Sequence, residues 1–196
     1  MTTQAQIEEG SQVSETAQVW HHSIIRRNSK IGAGCIIGSF VYIDEGVEIG
    51  DNCKIQNYSC IYSGVTIEAG VFIGPRVTFT NVINPRSFIS RKNEFRSTRI
   101  HMGASIGASA TIICGTTVGS YAFIGASSLV NRDIGQHELW LGVPAKKRGY
   151  FTRWGERLEL PSNVEREIYT CPRTGDNYEY DRNSMLSTTY STSIVK

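Results

Sequence analysis

Two sets of residues in this 196-residue chain have types that could do chemistry, namely four histidines and a segment rich in arginine and asparagine. The histidines are His21, His22, His101 and His137. An imidazole commonly serves as a general base near neutral pH, so each is a candidate base. The segment, residues 80–99, carries five basic side chains against the single acid Glu94 and contains no histidine. Guanidinium groups there would suit a phosphate or a carboxylate.

The cysteines predict neither a disulfide framework nor a metal site. Their number is odd, and no two form a CxxC pair; they are Cys35, Cys53, Cys60, Cys114 and Cys171. This usage favours a reducing, cytoplasmic setting and argues against a structural zinc.

Composition narrows the class of protein further. Hydrophobic residues make up 40% and charged residues 19%, which excludes a disordered polar chain. A net charge of +2 gives no general polyanion-binding field, so no nucleic-acid partner is expected. No apolar run approaches the ~20 residues of a membrane span, and the first residues lack the features of a signal peptide.

A six-residue period runs through most of the chain. An aliphatic residue or phenylalanine recurs at every sixth position from Ile7 to Phe79, and again from Ile100 to Val130. Four residues after each lies a second position, from Ser11 to Ile83 in the first run, that is small or β-branched. No α-helix has this period, and an alternating strand repeats at two. Hexapeptide repeats are typical of parallel β-helices, in which three short sides close one coil and coils stack ~4.8 Å apart.

We therefore predict an all-β fold, a parallel β-helix of at least six coils with one projecting loop. Glycines that directly follow the large residue are expected to supply backbone angles at the corners. These are Gly32, Gly38, Gly50, Gly74, Gly107, Gly119 and Gly125. Because Cys35 and Cys53 are one coil apart in the smaller row, we expect both to pack in the interior.

The expected organisation has two parts. Residues 1–135 form the β-helix, with the loop at about 80–99. Residues 136–196 form a C-terminal segment with a small β appendage and a flexible tail. Strand-like stretches lie at 157–161 and on either side of a turn at Arg173–Asp176.

The hexads and the run Gly142–Lys146 resemble the left-handed β-helix acyltransferases. Within them the chain is similar to a narrower group, the N-acetyltransferases of nucleotide-linked 3-amino sugars such as UDP-2-acetamido-3-amino-2,3-dideoxyglucuronate. The matching stretches are Trp20–His21, Lys54–Asn57, Phe79–Ser87, Arg91–Lys92, Gly103–Ala108, Leu141–Lys146 and Cys171–Gly175.

The resemblance implies a left-handed β-helix that uses acetyl-CoA as co-substrate and no metal. It implies a homotrimer, with acetyl-CoA and the nucleotide sugar meeting between neighbouring subunits. It also implies a place in the cytoplasmic phase of bacterial surface-polysaccharide synthesis, such as that of lipopolysaccharide O-antigen.

For the reaction itself, the resemblance implies that Asn84 holds the amine, because this group has an asparagine where other hexapeptide transferases have a loop histidine. Asparagine accepts no proton at neutral pH, so the substrate would have to arrive as a neutral amine. The alternative is that Asn84 caps the turn before Pro85. The amide of Gly107 is a candidate donor to the oxyanion, and His101 is the alternative base.

Two groups of binding residues are expected, one for the substrate and one for CoA. Substrate candidates are Gln56, Asn57, Arg86, Arg91, Lys92 and His21. Candidates for CoA are Ala108, Gly125, Ala126, Lys146 and Lys147. Each has a plainer alternative: solvated charges on the loop and at the end of the coils, an asparagine tolerated at Asn57 for left-handed angles, and corner residues that serve only the fold.

Two other functions stay open, a histidine-dependent sugar O-acetyltransferase and a β-helix scaffold without catalysis. The basic loop and the intact Gly142–Lys146 run favour the enzyme. The absence of histidine from the loop favours transfer to nitrogen over transfer to oxygen.

Overall fold

The computed structural model describes residues 4–158, 166–181 and 185–190, and in these ranges it is built almost entirely of β-strands. Most strands are only two residues long and belong to three parallel sheets, which form the walls of a triangular prism. Wall 1 consists of β1 (Gln6–Ile7), β4 (Ile24–Ile25), β7 (Tyr42–Ile43), β10 (Cys60–Ile61), β13 (Thr78–Phe79), β16 (Thr111–Ile112) and β19 (Leu129–Val130). Wall 2 consists of β2 (Gln12–Val13), β5 (Lys30–Ile31), β8 (Glu48–Ile49), β11 (Val65–Ile67), β14 (Thr98–Ile100) and β17 (Thr117–Val118).

Wall 3 begins as a parallel sheet and ends in an antiparallel extension. Its parallel strands are β3 (Gln18–Val19), β6 (Ile36–Ile37), β9 (Lys54–Ile55), β12 (Phe72–Ile73), β15 (Ser105–Ile106), β18 (Phe123–Ile124) and β20 (Glu138–Leu141). The antiparallel strands β21 (Lys146–Phe151) and β22 (Arg157–Leu158) follow at its edge. The predicted left-handed β-helix class is confirmed, with the seven strands of wall 1 marking seven coils in the described residues.

The hexad explains both the strands and the core. Ile25, Ile43 and Ile61 pair in direct register through wall 1, and all three are fully buried. The smaller row is also buried from Ser23 to Val77, including both Cys35 and Cys53, as predicted. The same row was predicted to include Ile83, and this is wrong: Ile83 is 51% exposed, because the chain has already left the prism.

The corner glycines do not have the role that the sequence suggested. Gly107, like the others of its set, does not have a positive φ. A Cβ on Gly107 would lie 2.5 Å from the Ala126 nitrogen, so this glycine is needed because the next coil approaches closely. The left-handed angles occur two residues later in each corner, for example at Gly34 and Asn52.

The projecting loop leaves the prism after β13 and returns at β14. It contains one short 3₁₀ helix, Lys92–Glu94, and an isolated bridge between Arg86 and Ile89. Arg96 N–H donates to the Asn81 carbonyl at 2.9 Å and closes the base of the loop. Ladder pairing resumes at Thr98, which lies opposite Val65 of wall 2.

Beyond the prism, a three-stranded antiparallel sheet is made of β23 (Arg166–Thr170), β24 (Asn177–Asp181) and β25 (Met185–Thr189). The turn predicted at Arg173–Asp176 does join two antiparallel strands. Of the strand predicted at 157–161, residues 157–158 form β22 and the remainder lies outside the described residues. The predicted tail is described only at 185–190, where β25 was not foreseen.

Candidate active site

The candidate residues of the fifth coil lie at three different corners of the prism. The loop corner, residues 80–97, joins walls 1 and 2 and carries Asn84. The histidine corner, residues 101–104, joins walls 2 and 3. The alanine corner, residues 107–110, joins wall 3 to wall 1. A single chain therefore does not bring Asn84 and Gly107 to one corner.

The alanine corner is built of small residues in consecutive coils. Ile106 pairs with Ile124 in wall 3, so Gly107–Ala108 lies directly against Gly125–Ala126. Ala108 is half-buried, Gly125 is buried and Ala126 is exposed. The Leu141 side chain covers Gly125, whereas Ala108 and Ala126 carry only methyl groups, so an extended ligand can approach the backbone of the ridge at these two alanines.

Two backbone amides of this ridge have no acceptor among the described residues. Gly107 N–H is committed to the coil ladder and donates to the Ile124 carbonyl at 2.8 Å. The next amides, those of Ala108 and Ala126, donate to no atom of the described chain. In an earlier coil the corresponding Ser39 N–H donates to Asn57 Oδ1 at 2.9 Å. The facing residues are Ala126 for Ala108 and Gly142 for Ala126, and neither has a side-chain acceptor, so both amides remain unbonded among the described residues.

Three substrate candidates occupy the same corner in lower coils. His21 is exposed, with its ring edge-on to Trp20, and Gln56 is half-buried. Asn57 is exposed and uses its Oδ1 to accept from Ser39. The idea that Asn57 is tolerated for left-handed angles is wrong, because the residue with φ of 63° is Tyr58. Asn57 contributes a side-chain contact between coils instead.

The two CoA-directed lysines differ in their surroundings. Lys146 is exposed at the start of β21 and has no partner among the described residues. Lys147 forms an ion pair with Glu138 at 2.8 Å and also donates to the Tyr150 hydroxyl. Burial opposes the charge of Lys147, but the hydrogen bonds to Glu138 and Tyr150 raise its pKa above the ordinary value. Lys147 is thus held in a structural cluster.

The loop presents its polar groups outward. Asn84 is exposed, and its side chain makes no hydrogen bond in the described structure, so it does not cap the turn before Pro85. Lys92 is exposed, and within the described part of the chain Arg86 donates only to the Pro85 carbonyl, at 3.1 Å.

Arg91 is the one of these basic loop residues whose side chain is fixed by an acid. Its Nη1 donates to both carboxylate oxygens of Glu94, at 2.8 and 2.9 Å. Its buried Nε has no partner among the described residues. Nη2 also has no hydrogen bond among the described residues, so this end of the guanidinium remains a donor for an acceptor that approaches the loop.

At the histidine corner, His101 is paired with a carboxylate that sequence reasoning missed. Nδ1 of His101 lies 2.9 Å from Glu68 Oε1, and Met102 N–H donates to Glu68 Oε2 at 3.0 Å. The two residues are neighbours in adjacent coils but 33 positions apart, because the loop interrupts the repeat. Setting the loop aside before comparing coils would have revealed the pair.

The described residues contain no group of His, Cys, Asp and Glu with the geometry of a metal site. In the same residues, no helix has the length and apolar character needed to cross a membrane.

The six-residue repeats of this chain match two known families of hexapeptide-repeat sequences. Residues 46–81 match the family described as bacterial transferase hexapeptide (six repeats), and residues 28–63 match the hexapeptide repeat of succinyl-transferase. A curated relative from Aneurinibacillus thermoaerophilus is dTDP-3-amino-3,6-dideoxy-alpha-D-galactopyranose 3-N-acetyltransferase. It is 37% identical over 86 residues, which cover 44% of this chain and 42% of the relative.

Solved structures share the fold. A mutant of perosamine N-acetyltransferase from Caulobacter crescentus, in complex with CoA and GDP-perosamine, matches with a TM-score of 0.52 and 22% identity over 76% of this chain and 58% of that one. A hexapeptide-repeat-containing acetyltransferase from Vibrio cholerae, complexed with acetyl coenzyme A, matches with a TM-score of 0.56 and 24% identity. That match covers 63% of this chain and 70% of the other. For comparison, the curated relative is matched over less than half of its own length.

Proposed function

We propose that this chain, whose residues 28–81 match models of hexapeptide-repeat transferases, transfers an acetyl group from acetyl-CoA to the amine of a nucleotide-linked amino sugar. The curated relative that acetylates a dTDP-3-amino sugar supports an acceptor of this class. The finer proposal is a 3-amino group, on UDP-2-acetamido-3-amino-2,3-dideoxyglucuronate or a close relative. We place the reaction in the cytoplasmic synthesis of a bacterial surface polysaccharide.

The observation that carries the proposal is the pair of unbonded amides at Ala108 and Ala126. A thioester carbonyl needs a hydrogen-bond donor as its oxygen gains negative charge in the transition state. Gly107 N–H is already used within the ladder, so we assign this donor to Ala108. The Ala126 amide is one coil further along the same ridge and is placed to bind a carbonyl of the pantetheine arm.

A positive charge beyond the ridge supports an orientation of CoA in which the thioester lies at Ala108, the pantetheine arm at Ala126 and the nucleotide end past the last coil. Lys146 is exposed beyond the last coil and suits the phosphates at the nucleotide end of CoA. Lys147 supports this region through Glu138 and is not assigned a direct phosphate contact.

The acceptor side is assigned to the loop. Asn84 orients the neutral amine through its side-chain amide, while Arg86, Arg91 and Lys92 bind acidic groups of the substrate. The amine nitrogen attacks the thioester carbon and forms a tetrahedral oxyanion held by Ala108 N–H. The C–S bond then breaks, an amide forms, and the proton lost by nitrogen passes to the CoA thiolate.

We propose that the complete site lies between subunits of a homotrimer. The loop and the alanine ridge occupy different corners of one prism, so a loop from one copy must reach the ridge of a neighbour to bring Asn84 to Ala108. A flat prism wall alone offers no enclosed pocket, whereas two walls and a loop create one.

A histidine-dependent O-acetyltransferase is the second candidate, and the Glu68–His101 pair favours it. With Nδ1–H donated to Glu68, neutral His101 keeps a lone pair on Nε2, the arrangement of a base that deprotonates a hydroxyl. The pair lies at a different corner from the Ala108 amide, as Asn84 does, so this candidate also needs a neighbouring copy to complete its site.

The test is to mix the purified chain with acetyl-CoA and a panel of nucleotide sugars and to follow release of the CoA thiol. Release with 3-amino sugars alone supports the proposal. Release with hydroxyl acceptors supports the second candidate, and no release with any sugar points to a scaffold. Sedimentation of an active monomer would contradict the shared site.

A further inference from the structure

Three aromatic rings stand one above another on the alanine corner, in three consecutive coils. They belong to His22, Phe40 and Tyr58, which the sequence separates by one coil each. The His22 and Phe40 ring centroids are 4.6 Å apart and the Phe40 and Tyr58 centroids 5.0 Å, with interplanar angles of 9° and 3°. Their separation follows the ~4.8 Å rise of the coils. We call this stack the aromatic ladder.

The ladder lies on the surface and occupies unfavourable backbone positions. Phe40 is 46% and Tyr58 55% exposed, so neither ring contributes to the core of the prism. All three residues have φ between 60° and 63°, a region that bulky side chains avoid. Elsewhere the corresponding corner position is often filled by glycine or asparagine, as at Gly34 and Asn52. Strain of this kind, retained on an exposed surface, points to a binding role.

The ladder stops at Tyr58, and a cleft begins there. The next coil has Arg76 in the corresponding position, also with positive φ, and therefore offers no ring to cover Tyr58. A cleft of about 500 Å³ is lined by Asn57, Tyr58, Pro75 and Arg76. A planar aromatic ligand of one coil's thickness would continue the stack in this cleft.

The polar groups around the cleft suit a nucleoside diphosphate. Arg76 is exposed and its guanidinium has no partner among the described residues, so it is available to a phosphate. Asn57 Oδ1 accepts a hydrogen bond from Ser39 N–H. The side-chain NH₂ and the backbone N–H of Asn57 remain as donors for the carbonyl oxygens of a base. A stacking face, two amide donors and one cation thus meet in one cleft.

The distance from the cleft to the proposed acetyl site can be bridged by one extended ligand. Tyr58 and Ala108 lie on the same corner two coils apart, roughly 10 Å at the coil rise. Pro75 joins the two levels, since its carbonyl accepts from Ser109 N–H at 2.8 Å. A ligand whose base stacks on Tyr58 can run along this corner and place its far end near Ala108.

We propose that the aromatic ladder and the cleft above it bind a nucleoside diphosphate, with the base stacked on Tyr58, its edge on Asn57 and the diphosphate on Arg76. This deepens the proposed function by assigning the nucleotide end of a ligand. The chemistry is present both in a nucleotide sugar and in the adenosine portion of CoA, so the test must separate the two.

The test measures binding of UDP, dTDP and CoA, each alone, to the purified full chain by titration calorimetry. Tyr58→Asn removes the ring and suits the left-handed backbone, so the fold is expected to be kept. We expect affinity for one ligand class to fall about tenfold or more, as loss of base stacking typically gives. Tyr58→Trp should retain binding, and Phe40→Asn, below the open face, should have the smaller effect.

The pattern of losses identifies the source of the nucleotide. A loss confined to UDP or dTDP assigns the cleft to the nucleotide sugar. A loss confined to CoA assigns it to the adenosine of CoA and overturns the orientation proposed above, in which the nucleotide end of CoA lies near Lys146. Arg76→Gln should weaken UDP binding but leave uridine binding unchanged. Unchanged dissociation constants for all three ligands in Tyr58→Asn would overturn the proposal.

Failure of this proposal is distinguishable from failure of the proposed function. Acetyl transfer by Tyr58→Asn with unchanged KM for both substrates would refute the cleft and leave the transferase standing. Conversely, Tyr58-dependent binding of UDP by a chain that transfers no acetyl group would retain the cleft and refute the transferase.

Discussion

Glu68 and His101 form a hydrogen-bonded pair across adjacent coils, with the carboxylate Oε1 2.9 Å from the imidazole Nδ1. The pair has the geometry of a base and its orienting group, yet it stands at the histidine corner, away from the unbonded amides of the alanine corner. Whether His101 takes part in acetyl transfer can therefore be tested by substituting it.

If the amine arrives neutral, His101→Asn should leave acetyl transfer to a 3-amino sugar within about twofold of wild type. The pH–rate profile should also keep its shape, because no proton is then taken by the imidazole. Glu68→Gln, which disturbs the orientation of the ring, is the companion variant. A loss of about 100-fold in His101→Asn, with a changed pH profile, would favour the histidine-dependent alternative.

Asn84→Ala should lower kcat/KM for the amino sugar by about 100-fold, since the amine would lose its orienting contact. Its melting temperature should not change, because Asn84 is exposed and its side chain makes no hydrogen bond in the described structure. Asn93→Ala is the matched control, an exposed asparagine of the same loop. Equal activity of the two variants would remove Asn84 from the site.

Ala108→Pro tests the proposed oxyanion donor by deleting one N–H. Pro75 occupies the corresponding position one coil earlier and also follows a glycine, so proline is compatible with this corner. We expect turnover with acetyl-CoA to fall by about 10²–10³-fold, with little change in thermal stability. Full turnover in a folded Ala108→Pro variant would assign the donor elsewhere.

Lys146 and Lys147 should respond differently to replacement by alanine. Lys146→Ala is expected to raise KM for acetyl-CoA, most clearly at low salt, and to keep the melting temperature. Lys147→Ala should lower the melting temperature, because Glu138 is half-buried and would lose its ion-pair partner. Steady-state kinetics and thermal unfolding measure both effects, and the reverse pattern would exchange the two roles.

Acid should destabilise the protein through His137. Burial lowers the pKa of His137 to about 4 from its ordinary value of 6.5, while Nδ1–H donates to the Phe151 carbonyl and Nε2 accepts from Tyr190. Between about pH 6.5 and pH 4, the His137 imidazole is therefore protonated in the unfolded chain but neutral in the folded chain. The free energy of unfolding should fall over this interval, by up to about 3 kcal/mol.

His137→Asn isolates this effect, because asparagine suits the φ of 60° at that position. The difference in unfolding free energy between wild type and His137→Asn, measured by denaturant titration, should shrink as the pH falls from 7 to 4. His21→Asn, at an exposed histidine, is the control and should leave the pH dependence unaltered. A constant difference for His137→Asn would contradict the assignment.

The repeating part of the fold was predictable because each hexad specifies its own local structure. The larger residue of the hexad, Ile43, and the smaller one, Val47, are both buried, and the local six-residue pattern is enough to predict this. The role of the corner glycines was not predictable in the same way. Their requirement arises from the backbone of the next coil, as at Gly107 beside Ala126.

The sequence by itself determined the triangular β-helix, the position at which the loop leaves it and the turn between β23 and β24, since these depend on a short local period and on turn residues. Only the tertiary structure decided which groups remain available for chemistry. It left Ala108 N–H without an acceptor, engaged Lys147 with Glu138 and joined His101 to Glu68 across the interruption. The physical reason is that a hydrogen bond between coils depends on which side chain lies opposite in the next coil. The hexad pattern specifies only the buried positions and does not specify these side chains.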